Sequence, residues 1–186
     1  NITYLTANNY EAKLDVYVRR DAQGPQPTLL YIHGGGWVGG TKEGSVLSVV
    51  PYMEMGWNVV NIEYRLGRVS LAPAAVEDCL CALRWVMRNA NQNNIDTGKL
   101  VVTGHSAGGH LSLTTGVLPA SAGLDRQCPG KEELKVAAIV NWFGITDVHD
   151  IIEGANARGY GVRWFAGVEN KAALARRVSP LTYVRP

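Results

Sequence analysis

The chain has 186 residues, 46% of them hydrophobic and 18% charged, with a formal net charge of +2. That is enough chain for one domain with a real core and too little for two, so a single domain over residues 1–186 is expected. No long run of either charge and no apolar stretch near the ~20 residues that span a bilayer point to nucleic acid, a membrane surface or a membrane span.

Residues 2–6 and 14–19 read as two strands; in the second, Leu14, Val16 and Val18 alternate with Asp15, Tyr17 and Arg19. The continuous apolar run over residues 28–33 predicts a strand covered on both faces, followed by a glycine-dense loop over residues 34–40. Residues 45–55 predict a helix broken or bent near Pro51, and residues 57–64 the next strand. Pro73 opens the clearest helix, with Val76, Leu80, Leu83 and Met87 on one stripe and Glu77, Arg84 and Arg88 on other faces. Residues 100–104 form another buried strand, residues 107–118 a helix, and residues 136–143 the last clear strand. Beyond Gly144, short helical pieces over residues 147–153 and 171–177 flank the glycine-rich segment RGYGVRWFAG. Strands separated by helices require βαβ crossovers, hence a mainly parallel sheet; the first two strands, joined without a helix, should be antiparallel.

Cys79, Cys81 and Cys128 lack metal-ligand spacing and are expected to be buried or half-buried free thiols. A disulfide to Cys128 would require an oxidising compartment. The first residues already read as a strand and the last as an unfinished connection, so the sequence reads as a processed or truncated segment; a secreted, periplasmic or cytoplasmic location remains open.

The chemistry concentrates at VVTGHSAGGH. Gly104, Ser106 and Gly108 fit G-x-S-x-G between a predicted strand and a predicted helix. A serine lifted above a sheet on so tight a turn crowds the residues two before and two after it, which must then be glycine. The backbone strain at the serine needs a reason to persist, and the following helix N-terminus favours negative charge there. Upstream, His33-Gly34-Gly35-Gly36-Trp37 can turn backbone N–H groups inward without side-chain obstruction. Gly34, Gly35 and Gly36, with the N–H of Ala107, are therefore the candidate oxyanion donors, with His33, Gly104 and Gly108 supporting the loops.

HGGGW, EYRL (residues 63–66), APAAVED (72–78), LRWV (83–86) and GHSAGGHLS (104–112) together resemble the α/β-hydrolase carboxylesterases, nearest to those related to hormone-sensitive lipase and to feruloyl or acetyl-xylan esterase-like proteins. The resemblance runs from Leu14 to Val184. It implies a three-layer α/β-hydrolase fold with an eight-stranded, mostly parallel sheet, a small-molecule ester substrate and no cofactor or metal.

A serine needs a base, and the base an acid. His110 lies one turn into the helix after Ser106 and should pack along it; His149, flanked by Asp147 and Asp150, has poor geometry for a compact dyad, and Asp147 suits a helix cap. His33 and His105 precede the serine and suit loop support. In the family, text like SPLTYV precedes the strand that ends at the catalytic aspartate, with the histidine after the next strand. The resemblance thus places acid and base beyond Pro186 and leaves the last two strands out of these residues. An open apolar sheet edge should follow. Residues 146–178 fall where lids and acyl pockets are inserted; Tyr160, Trp164 and Phe165 suit core packing there more than a pocket lining. The expected function is a serine carboxylesterase working through Ser106. The alternatives are an arylformamidase- or peptidase-like amide hydrolase, or a catalytically inactive binding module. The oligomeric state is open.

Overall fold

The continuous apolar runs become the centre of a six-stranded sheet. In a computed structural model, which describes residues 1–184, the strands are β1 (Ile2–Ala7), β2 (Tyr10–Tyr17), β3 (Gln26–Ile32), β4 (Asn58–Ile62), β5 (Ile95–His105) and β6 (Ala138–Trp142), in the spatial order β1-β2-β4-β3-β5-β6. β1 pairs antiparallel with β2 and β2 antiparallel with β4, whereas β4, β3, β5 and β6 run parallel. The parallel part follows from the three helices that return the chain across the sheet: α1 (Val46–Glu54), α2 (Ala74–Arg88) and α3 (Ala107–Val117).

β3 is flanked by β4 on one side and β5 on the other. The connections leaving β3 and β5 therefore diverge, which opens a crevice at the carboxyl ends of these two strands. Both sequence motifs of interest, HGGGW after β3 and GHSAGG after β5, are delivered to that crevice by topology alone.

All five residues of β4 and residues 28–32 of β3 are buried, as expected for strands covered on both faces. The larger core joins Leu30, Ile32, Val60 and Ile62 to Val76, Leu80 and Leu83 of α2 and Leu111 of α3. The smaller core, on the opposite face, joins Leu29, Tyr31 and Val59 to Val49 of α1. α1 is not broken at Pro51: the helix continues through it, with Pro51 and Leu47 both on the exposed side, where water can satisfy the carbonyl that proline leaves unpaired. Three short helices, α4 (His149–Ile152), α5 (Gly159–Trp164) and α6 (Lys171–Val178), complete the described chain; α5 occupies the glycine-rich segment.

β6, predicted over residues 136–143 and observed over Ala138–Trp142, lies at the edge of the sheet. Val140, Trp142 and the following Phe143 are exposed, because β6 has a paired neighbour on one side only. This is the open apolar edge that the sequence suggested.

α2 carries the fold's most enclosed ion pair. Arg65 Nη2 lies 2.6 Å from Asp78 Oδ1, and the Arg65 backbone N–H donates to Oδ2 at 2.7 Å. Burial pushes the Asp78 carboxyl upward, against the opposing pull of the Arg65 hydrogen bonds and charge. Arg84 does not face solvent either: it donates to Asp125 Oδ2 and to the carbonyls of Asp125 and Glu132, in the segment after α3.

The cysteines correct the sequence reading. Cys81 of α2 forms a disulfide with Cys128, and only Cys79 is a free, buried thiol. With their helix-face positions two apart, Cys79 turns into the core while Cys81 turns toward the segment that also covers Arg84. Closing a loop of sequence separation 47 restricts the unfolded chain by about 4 kcal/mol in the chain-entropy model. Denatured protein without reductant should accordingly show one reactive thiol per chain and three after reduction, and reduction should lower the midpoint of urea unfolding. Three thiols without reductant would contradict the pairing.

Candidate active site

Ser106 sits between β5 and α3 with φ 54° and ψ −119°, a backbone conformation that a residue with a side chain adopts only under constraint. The constraint is visible on both sides. A Cβ placed on Gly104 would lie 2.2 Å from the Ile32 carbonyl oxygen, and one on Gly108 would lie 2.1 Å from the same atom. The turn is thus wrapped against the end of β3, with no room for a methyl group at either position. The Ser106 N–H donates to the Trp142 carbonyl at 2.9 Å, and its carbonyl accepts the His110 N–H at 3.0 Å.

The loop after β3 folds back on itself. Val38 and Gly39 N–H groups both donate to the Gly35 carbonyl, at 3.2 and 3.0 Å. Gly35 and Gly36 have φ 120° and 60°, conformations natural to glycine. Gly34 lies against the His105 ring and Gly36 against Tyr160. Among the described residues, the N–H groups of Gly35, Gly36 and Ala107 have no protein acceptor. Unpaired donors of this kind, at a helix start and a glycine loop, are available to an anion.

The end of β4 grips both ends of this loop. Tyr64 Oη donates to the His33 carbonyl at 3.1 Å, and the two rings stack with centroids 4.3 Å apart. Asn61 donates to the Lys42 carbonyl at 2.7 Å, while Glu63 Oε2 accepts the Lys42 N–H at 3.0 Å and Oε1 lies 3.5 Å from His33 Nε2. The buried Lys42 ammonium is held between Asp15 and Glu43, each at 2.6 Å. Desolvation raises the Asp15 carboxyl, but the hydrogen bond from Lys42 and its charge pull it down, to below the ordinary range.

No ring nitrogen of the described histidines is hydrogen-bonded to the Ser106 hydroxyl. His33 Nδ1 contacts its neighbour's carbonyl, Gly34 O, at 2.7 Å, and His105 Nδ1 lies 3.1 Å from the Tyr31 hydroxyl. His149 is half-exposed and 3.8 Å from Glu153, while Asp147 Oδ1 accepts its N–H at 2.9 Å. His110 is fully buried: Trp37 Nε1–H donates to its Nδ1 at 3.1 Å, and its Nε2 meets the Val178 carbonyl at 2.8 Å. An indole can only donate, so Nδ1 is the acceptor and Nε2 carries the proton. His33 and His105 thus lie against Gly34, and His110 joins Trp37 to Val178. Trp37, Glu63 and Tyr64, which the motifs contain but did not single out, and Asn61 of β4 make most of the supporting contacts. Among the described residues, no group of three or more His, Cys, Asp or Glu side chains gathers as a metal site. A 360 Å³ cavity lined by Arg84, Leu118, Asp125 and Glu132 lies by the far end of α3 and has no part in the serine site.

A strand-to-helix turn at the switch point of a mostly parallel sheet, backed by a glycine loop, is the arrangement of the α/β-hydrolase fold. Residues 14–186 match the BD-FAE family model, and the chain belongs to that family. The probable carboxylic ester hydrolase LipM of Mycobacterium tuberculosis is 34% identical over 139 residues, 72% of this chain and 32% of the relative. The arylesterase of Saccharolobus solfataricus is 32% identical over 113 residues, 59% of this chain and 36% of that protein. The native esterase Est2 of Thermogutta terrifontis superposes with a TM-score of 0.78 at 24% identity, over 99% of this chain and 65% of its own. The chain therefore spans about a third of the length of these curated relatives and about two thirds of the solved esterase.

Burial lowers the His110 pKa from 6.5 to about 4, partly opposed by the Val178 carbonyl. Between those values the unfolded chain takes up a proton that the folded one refuses. The stability this group contributes is complete above pH 6.5 and is lost as pH falls toward 4, by about 3 kcal/mol. Urea unfolding followed from pH 7 to 4 should show this loss in the wild type and a shallower one in His110→Gln; parallel curves would refute it.

Proposed function

We propose that the protein hydrolyses carboxylic esters through an acyl-enzyme on Ser106. The observation that carries the reading is the pairing of a constrained serine at φ 54° with three unengaged donors, the N–H groups of Gly35, Gly36 and Ala107. Ser106 Oγ would attack the ester carbonyl, and those N–H groups would receive the negative charge that develops on its oxygen. One such donor is worth about 3 kcal/mol of transition-state stabilisation. Collapse of the tetrahedral species expels the alcohol, and water then releases the acid from Ser106.

The base that takes the serine proton and the acid that orients it belong, on this reading, to polypeptide beyond Pro186. What supports this is that no described histidine ring is hydrogen-bonded to the Ser106 hydroxyl and that the solved esterase extends well past the matched length. Residues 146–178 serve as a small pocket insertion in which Trp164 and Phe165 are core and half-buried Tyr160, against Gly36, forms a wall. Thermogutta terrifontis esterase 2 has been solved with propionate bound and phosphorylated by paraoxon, which favours short acyl groups and a nucleophile open to phosphorylation here. The relatives are named for ester hydrolysis, which favours an ester over the amide substrates of an arylformamidase or peptidase and over an inactive binding module.

A fluorophosphonate probe applied to the full-length protein should label Ser106, with no labelling of Ser106→Ala. Turnover of p-nitrophenyl acetate should exceed that of N-formylkynurenine and of a prolyl anilide. Labelling that persists in Ser106→Ala would overturn the assignment.

A further inference from the structure

Glycines 34, 35 and 36 have no side chains with which to hold a loop in place, so its orientation depends on the next residue. Trp37 is fully buried and has φ 60°, a costly conformation for a bulky side chain unless its surroundings enforce it. They do so from three directions. The indole stacks on Trp164 with centroids 4.3 Å apart, its N–H donates to His110, and the Trp37 carbonyl accepts the Gly67 N–H at 2.7 Å.

His110 is tied at its other side as well. Its backbone N–H closes the first turn of α3 onto the Ser106 carbonyl, and its Nε2–H donates to Val178 at the end of α6. One imidazole therefore bridges the glycine loop, the helix that starts at Ala107, and α6. The two halves of the candidate oxyanion hole, Gly35 and Gly36 on one element and Ala107 on another, have this ring as a shared anchor.

We infer that His110 is a positioning residue: through the Trp37 indole it holds the Gly34–Gly36 loop in register with the Ala107 N–H. The inference rests on the acyl-enzyme reading of Ser106 for its consequence in catalysis, but the clamp itself is a statement about the loop. The ring never touches substrate. The contact works only with a neutral imidazole, accepting at Nδ1 and donating at Nε2. A glutamine can offer the same pair of functions, whereas alanine offers neither.

The test uses the full-length protein, with Trp37→Phe, His110→Ala and His110→Gln. Trp37→Phe keeps an aromatic ring on Trp164 but removes the donor together with part of the buried indole. His110→Gln, which keeps both imidazole functions and the Trp37 packing, therefore separates the lost hydrogen bond from lost volume even if His110→Ala fails to fold. Amide hydrogen exchange of the peptide covering residues 33–39 should quicken by about tenfold or more in Trp37→Phe and His110→Ala. The kcat for p-nitrophenyl acetate should fall ~10- to 100-fold with KM nearly unchanged. His110→Gln should recover a large part of both losses relative to His110→Ala. Unchanged loop exchange in Trp37→Phe would overturn the clamp, as would a loss expressed in KM alone. A wild type whose Ser106 is never phosphonylated would instead remove the acyl-enzyme reading, and loop exchange would still decide the clamp.

Discussion

The crowding around the Ile32 carbonyl is the constraint on which the rest of the site depends. Gly104 and Gly108, one on each side of Ser106, both press against that single oxygen at the end of β3. Because neither can carry a Cβ, the chain leaves β5 and enters α3 with almost no intervening loop, and Ser106 is forced into its positive-φ conformation. The parallel pairing of β3 with β5 brings the oxygen and the glycines together. Sheet register, turn geometry and the placement of Ser106 are in this sense one fact.

From that point the supporting contacts divide between two elements. The end of β4 holds the ends of the glycine loop through Asn61, Glu63 and Tyr64, while Trp37 and His110 hold its middle against α3. A glycine loop is flexible by composition, so its rigidity must be supplied by neighbours. Here most of those neighbours are buried polar groups with partners, a costly arrangement unless each hydrogen bond is made. The exceptions are His33 Nε2, at 3.5 Å from Glu63, Asn61 Oδ1 and Trp164 Nε1, each buried without a hydrogen-bond partner.

Much of this was legible in the sequence, and what was missed has physical causes. The doubly buried strands announced themselves as continuous apolar runs, and the two glycine motifs fell where β3 and β5 end. α5 was hidden because glycine weakens helix propensity, and tertiary packing of Trp164 overrides it. β5 begins at Ile95, five residues earlier than its apolar run, because pairing of Gln26 with Ile95 extends the ladder into polar sequence. The Cys81–Cys128 bond joins positions far apart in sequence, and cysteine spacing alone carries no information about which pairs meet. The Trp37–His110–Val178 chain is likewise non-local. Each residue reads separately as an apolar or helix-face position, and only the fold brings them into contact.

The measurement that tests the central constraint most directly compares Gly104→Ala with Gly159→Ala in the full-length protein, following phosphonylation of Ser106 and the unfolding midpoint together. A Cβ at Gly159 has nothing within 4 Å, whereas one at Gly104 collides with backbone on two sides. Gly159→Ala should react and unfold like the wild type, and Gly104→Ala should lose Ser106 reactivity together with stability. A Gly104→Ala protein that is as stable as the wild type and is labelled at the wild-type rate would contradict the account.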